Sequence, residues 1–216
     1  EIVGGRGRGN VSVWLLVFLL FLYGSYAVDW SCNPNADECP ENSGTFNVPS
    51  DCALKICYTA YSAAVVVGQD ETLTIAGREG LTTITAPTDG RHFHVGSGTN
   101  AVLTLTRVKL TGGYKDKAII SDTQNGGSIY HQRGKVVVID SWFFNNRAYG
   151  GGAIFVEAYG GDATLELIDT NVTNNQATHS SGSGGGILAG DNVYAHTVTM
   201  SGGELSHNEA GYNGGG

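Results

Sequence analysis

Charge is scarce in this chain: only 15% of its 216 residues are Asp, Glu, Lys or Arg, and the 12 basic residues are outnumbered by 20 acidic ones. No basic run suited to tracking a phosphate backbone occurs, so nucleic acid is not an expected partner. Cysteine is absent after Cys57. The one long apolar run, Val11 to Tyr23, has 13 residues with a single Ser, too short for a membrane span, which takes about 20. Past the N-terminal region, Gly and Ser interrupt every window in which an amphipathic helix could form, so helical repeats and strand-plus-helix horseshoes are excluded.

What the chain has instead is glycine, 33 residues of it, and a recurring phrase. In Val136 to Gly152, apolar residues at Val136, Val138 and Phe143 are followed by Asn146 and then by glycines. Leu165, Leu167, Val172 and Asn175 repeat the pattern, as do Val198, Met200, Leu205 and Asn208. A weaker copy has Leu103, Leu105 and Leu110, with Gly113 in place of Asn. The third apolar position recurs after 33, 29 and 33 residues, a period that means a solenoid or array. Within each unit apolar and polar residues alternate at period two, which predicts half-buried strands ending at Gly, Asn or Asp. The expected fold is all-β: a right-handed parallel β-helix with Val138, Phe143, Leu167, Val172, Met200 and Leu205 on its axis. Asn146, Asn175 and Asn208 should then stack at a turn and share amide hydrogen bonds. A second strand is expected after each glycine cluster, at Ala118-Ile119, Ala153-Ile154 and Gly186-Ile187.

Phe143-Phe144-Asn145-Asn146 and Gly151-Gly152-Ala153-Ile154 resemble the repeat of the chlamydial polymorphic outer-membrane protein family, with looser copies at Val172–Asn175, Leu205–Asn208, Gly126–Ile129 and Gly185–Leu188. More broadly, residues 65 to 216 are similar to pectate-lyase-like β-helix proteins. The resemblance implies a secreted or surface-displayed protein and raises the question of activity on polysaccharides.

Three segments are expected. Residues 1–27 read as a signal peptide: Arg6 and Arg8, the apolar run, then Ser25-Tyr26-Ala27 for cleavage. Residues 28–64 hold Cys32, Cys39, Cys52 and Cys57, a set that suits a disulfide-tied N-terminal cap in an oxidising compartment, the pairing left open. Ser50-Asp51 there is expected to cap a short helix. Residues 65–216 form the β-helix; the chain stops at Gly214-Gly215-Gly216 where another coil would begin, so a continuation, with membrane anchoring through it, is expected.

Asp140 and Asp169 are the catalytic and calcium candidates, because they fall on adjacent coils and two close carboxylates either recruit a cation or split their pKa values. The competing reading is an Asx-turn at the end of each strand. No other cofactor is expected. Tyr114, Tyr149 and Tyr212 read as near-equivalent positions past the turn, and with Trp142 they are candidates for stacking on sugar rings. His131 and Arg133 fall in the longest insertion, residues 120 to 134, read as a hydrated loop. Asn171-Val172-Thr173 is a glycosylation sequon. The expected role is a structural or adhesive module for an extracellular glycan or surface protein. The alternative is a lyase or hydrolase of polysaccharides.

Overall fold

A computed structural model describes residues 64–77, 81–86, 89–96, 100–115, 124–190 and 194–215, together with the backbone of three short strands at 28–29, 44–48 and 54–55. Among these residues there is no α-helix, and every strand pairing is parallel. The chain is a parallel β-solenoid.

Each turn begins with a strand whose alternate residues face the axis. Leu73, Leu103, Val136, Leu165 and Val198 stand in one register row; Ile75, Leu105, Val138, Leu167 and Met200 stand in the next. A corner follows, then a second strand whose row is Ile84, Leu110, Phe143, Val172 and Leu205. Down to Val172 these side chains are at most 1% exposed; burying each contributes about 1.5–3 kcal/mol. In the last turn Met200 and Leu205 keep the register but are 38% and 43% exposed, since no described residue covers them.

Two columns of left-handed backbone make the corners. Arg107, Asp140, Asp169 and Gly202 have φ of 54°, 48°, 46° and 73° at the first; Gly112, Asn145, Asn174 and His207 have 75°, 55°, 56° and 53° at the second. Immediately after the second stand Asn146, Asn175 and Asn208, at most 5% exposed. Asn146 Nδ2 donates to Asn175 Oδ1 at 3.0 Å, and Asn175 Nδ2 to Asn208 Oδ1 at 2.9 Å. The same oxygens accept the backbone N–H of the rung below, at 3.0 Å each. Each rung also donates to a carbonyl of the preceding turn: Leu110, Phe143 and Val172. The expected amide stack is therefore present. At Gly113, in the ladder's position one turn earlier, a Cβ would lie 2.0 Å from the Gly127 carbonyl oxygen, so no Asn fits.

The glycine pairs have a similar cause. Gly126, Gly151 and Gly184 have φ of 71°, 60° and 65°. Their successors press on backbone: a Cβ on Gly127 would sit 2.4 Å from Gly152 O, and one on Gly152 2.1 Å from Gly185 O. This column corrects one repeat boundary. Ile129, Ile154 and Ile187 are in register, so Gly184–Ile187, not Gly185–Leu188, is the third copy. Ser128-Ile129, not Ala118-Ile119, is the partner of Ala153-Ile154; residues 118 and 119 lie outside the described residues.

Two expectations for the N-terminal region change. Gly44–Val48 pairs with Thr72–Gly77, and Leu54–Lys55 pairs with Thr82–Thr85, so the stacking reaches back before residue 65. Leu54 is accordingly in a strand rather than a helix begun at Ser50. Residues 1–27 and the four cysteines lie outside the described residues.

Candidate functional site

The third sheet consists of three-residue strands, Val65–Val67, Phe93–Val95, Ile129–His131, Ile154–Val156 and Ile187–Ala189. Their outer residues face the axis, so their middle residues form an outward row: Val66, His94, Tyr130, Phe155, Leu188. The Tyr130 and Phe155 rings stack with centroids 5.7 Å apart at 8°, and His94 lies 4.9 Å from Tyr130. The Arg91 guanidinium sits over Tyr130, 4.9 Å from its centroid. Burial pushes this guanidinium down to about 10, so it stays charged at neutral pH.

A polar network ties the row to Glu157, itself buried. His94 Nε2 donates to Gln132 Oε1 at 2.9 Å; Gln132 Nε2 donates to Glu157 Oε2 and to the Tyr130 hydroxyl oxygen, both at 3.1 Å; and the Tyr130 hydroxyl donates to Glu157 Oε2. Burial and then the Glu157 carboxylate push the Tyr130 hydroxyl up, and burial pulls His94 down against its bond to Gln132. Tyr130 therefore stays protonated and holds the carboxylate in place.

Next to this network lies a cleft of about 380 Å³, walled by Asn125, Tyr149, Phe155, Glu157, Ser181 and Leu188. Tyr149 stacks on His179 with centroids 4.1 Å apart. The Ser181 backbone N–H donates to His179 Nδ1 at 3.2 Å, which makes that nitrogen an acceptor. The Ser181 hydroxyl then donates to it at 2.7 Å, and the Tyr149 hydroxyl donates to Ser181 Oγ at 3.0 Å. Gly150 and Gly190 also line the cleft. A Cβ on Gly150 would meet Asn125 Oδ1 at 3.0 Å and Leu188 Cδ2 at 3.1 Å; one on Gly190 would meet nothing within 4 Å among the described residues. Such a hollow, part apolar and part hydrogen-bonding, is the form small-molecule sites take.

Only Tyr149 among the sequence-derived candidates reaches this cleft. The tyrosines do not form a row: Tyr114 pairs with Arg147, two residues before Tyr149, and Tyr149's counterpart one turn on is Thr178, with Tyr212 a residue beyond the next. Tyr114 packs under the Arg147 guanidinium at 5.7 Å, and Tyr212 is 70% exposed. Trp142 lies on the second strand of its turn, beside the inward Phe143; Lys109 Nζ sits 4.5 Å from its ring centroid, Phe144 is 5.0 Å away, and its indole N–H donates to Thr173 Oγ1 at 2.8 Å. Asn171, the sequon residue, is its register neighbour.

Asp140 and Asp169 stack at the first corner, exposed, on the left-handed backbone they share with Arg107 and Gly202. The local hydrogen bond expected of them is made by the next residue instead: Ser141 Oγ donates to Ile139 O at 2.7 Å and Thr170 Oγ1 to Ile168 O at 2.9 Å. Among the described residues, no three His, Cys, Asp or Glu come together as a metal would need. His131 is not in a hydrated loop. It is fully buried on the axis side of its strand, its Nε2 donating to Gly134 O at 3.3 Å. Arg133 staples two loops, donating to Gly96 O at 3.1 Å and Gly160 O at 3.3 Å.

Sequence reasoning passed over His94, Tyr130, Phe155 and Glu157. The signal was available in the tripeptides Phe-His-Val, Ile-Tyr-His, Ile-Phe-Val and Ile-Leu-Ala, the last three of which follow the glycine column. Aligned there, their middle residues make the row. No protein-family model, curated protein or solved structure matches the chain, so the likeness to the chlamydial repeat stands on the residues quoted for it.

Proposed function

We propose that the chain is a secreted or cell-surface right-handed β-helix module with a structural and adhesive role, and that it binds an extracellular glycan in the cleft beside Glu157. The right-handed sense is what parallel crossovers adopt in nearly all cases. The observation that carries the reading is the composition of the cleft: aromatic and aliphatic groups, Tyr149, Phe155 and Leu188, face hydroxyl, amide and carboxylate groups within one hollow. A sugar ring offers the same pairing of apolar faces and hydroxyl edges. The stacked turns supply a stiff support, so the site is held without rearrangement. A single carboxylate, Glu157, lines it among the described residues, which favours binding over the paired-carboxylate hydrolysis of the alternative reading.

The experiment is a panel of oligosaccharides titrated against the full chain and a Gly190→Phe variant. Binding by the parent and its loss in the variant is the expected result. Depolymerisation of a polysaccharide, with or without calcium, would replace adhesion with catalysis.

A further inference from the structure

We propose that Asn171 carries an N-linked glycan, attached before the turn that holds it has stacked on its neighbours. The inference rests on the secreted reading above and concerns a site away from the cleft, none of whose lining residues belongs to this strand. Asn171-Val172-Thr173 is the sequon. The chain's other one, Asn10-Val11-Ser12, precedes the apolar run of the expected signal peptide, the end that does not enter the secretory lumen. Within the strand Ala163–Thr173, Val172 fills the axial row and is fully buried, so Asn171 lies on the opposite, outward face, half-buried. The Asn171 amide makes no side-chain hydrogen bond among the described residues. By contrast, Nδ2 of Asn146, Asn175 and Asn208 each donates to a carbonyl of the preceding turn. A sugar on Asn171 therefore displaces no bond of the fold. Its register neighbour is Trp142, one strand spacing of about 4.8 Å away, whose indole N–H reaches across to Thr173 and whose ring gives the first sugar an apolar surface.

The folded strand withholds what the transfer needs. An N-glycosyl transferase must hold the hydroxyl of the sequon's third residue as well as the asparagine. Thr173 is only 6% exposed, and its Oγ1 already accepts the Trp142 indole N–H at 2.8 Å. The Asn171 backbone N–H donates to Ser141 O at 2.9 Å. Asn171 and Thr173 are in register with Trp142 and Phe144 on one turn and with Glu204 and Ser206 on the next. Lifting the sequon into an enzyme would break both ladders at once. Before the turn stacks, the same three residues form an exposed, extended segment. There Asn171 Nδ2 attacks the anomeric carbon of a lipid-diphosphate-linked oligosaccharide. The C–N bond forms, the C–O bond to the diphosphate breaks, the lipid diphosphate leaves, and Nδ2 gives up one proton.

The test has two arms. In the first, the full chain and Asn171→Gln are produced in cells whose secretory pathway N-glycosylates, and both are mapped by mass spectrometry with and without peptide-N-glycosidase. The parent should leave the cell with one glycan, on Asn171, and the variant with none. In the second, the full chain is isolated folded from a bacterial host without glycan and given to permeabilised microsomal membranes that contain transferase and lipid-linked donor. A peptide of residues 165–178 is treated alongside it. The folded chain should be modified at least about tenfold more slowly than the peptide, because a paired core strand opens rarely. A secreted chain with Asn171 bare would overturn the inference and leave the secreted reading standing. A chain retained in the cytosol and unmodified would remove both. Equal rates for folded chain and peptide would overturn the order of attachment and stacking.

Discussion

The asparagine ladder and the outward row of the third sheet are built by the same stacking and used in opposite ways. In the ladder one residue type recurs at Asn146, Asn175 and Asn208, fully buried and bonded to the turns on either side. In the outward row the residue changes at every turn, from His94 to Tyr130 to Phe155 to Leu188, in equally strict register. Repetition marks positions where each turn must satisfy the next; variety marks positions free to carry recognition. The difference can be probed by substituting on each side of it.

The largest effect belongs to the ladder. Replacing Asn175 by Ala removes the acceptor for both the backbone N–H and the side-chain amide of Asn146, and the donor to Phe143 O and Thr173 O. Several buried polar groups would then lack partners at once, which costs about 3–5 kcal/mol. A denaturant titration should show this loss for Asn175→Ala, while Phe155→Leu, in the outward row, should lose clearly less. Equal losses would mean that the outward row is as structural as the ladder.

A second effect distinguishes the two sides of the third sheet. His92 and His131 point inward and are both fully buried; burial drives each imidazole down to about 4. His92 is fixed as the neutral tautomer, with Nε2 donating to Ile84 O at 3.0 Å and Nδ1 accepting from the Ser128 hydroxyl at 3.0 Å. A histidine whose folded pKa is depressed binds its proton more readily when unfolded. Stability is therefore fully present above the unfolded value near 6.5 and is lost as pH falls from there to about 4. Each histidine accounts for up to about 3 kcal/mol of that loss. Thermal melts across this pH range should show the decline, and it should shrink in His131→Leu. A flat profile would contradict the burial of both rings.

The ladder could be read in the sequence because one polar residue type stands at a fixed distance from apolar neighbours. The axial rows were legible for the same reason. Where the constraint is on the backbone rather than the side chain, the sequence is ambiguous. Arg107, Asp140, Asp169 and Gly202 share a left-handed corner and nothing else, so two of them suggested a carboxylate site. Gly184 to Gly186 reads equally well in two registers, and only contact with the adjacent turns chooses between them. That one-residue ambiguity hid the outward row, since shifting a strand by one moves its side chains to the other face. The cleft also draws on Ser181 and on Asn125, whose counterparts in the next two turns are Gly150 and Ser183, so no one residue type recurs there.

A smaller effect is expected at Trp142, where Lys109 lies 4.5 Å from the indole centroid and 4.4 Å from that of Phe144. Lys109→Ala should cost about 0.5–1 kcal/mol, the range of exposed cation–π pairs, and high salt should leave most of that loss in place because the lysine stem also packs on the rings.

The smallest change in stability should come from the glycine that opens the cleft. A Cβ on Gly152 would fall 2.1 Å from the Gly185 carbonyl oxygen, whereas one on Gly190 would meet nothing within 4 Å among the described residues. Gly152→Ala must move a turn of backbone, at a cost of several kcal/mol by the strain it forces on a packed stack. Gly190→Phe should melt within about 0.5 kcal/mol of the parent, as surface substitutions do, while a ring at this lining position takes up space in the cleft. Stability and binding are thus separated at a single position. A Gly190→Phe variant that folds normally and still binds the parent's ligand would place the recognition surface somewhere other than the cleft beside Glu157.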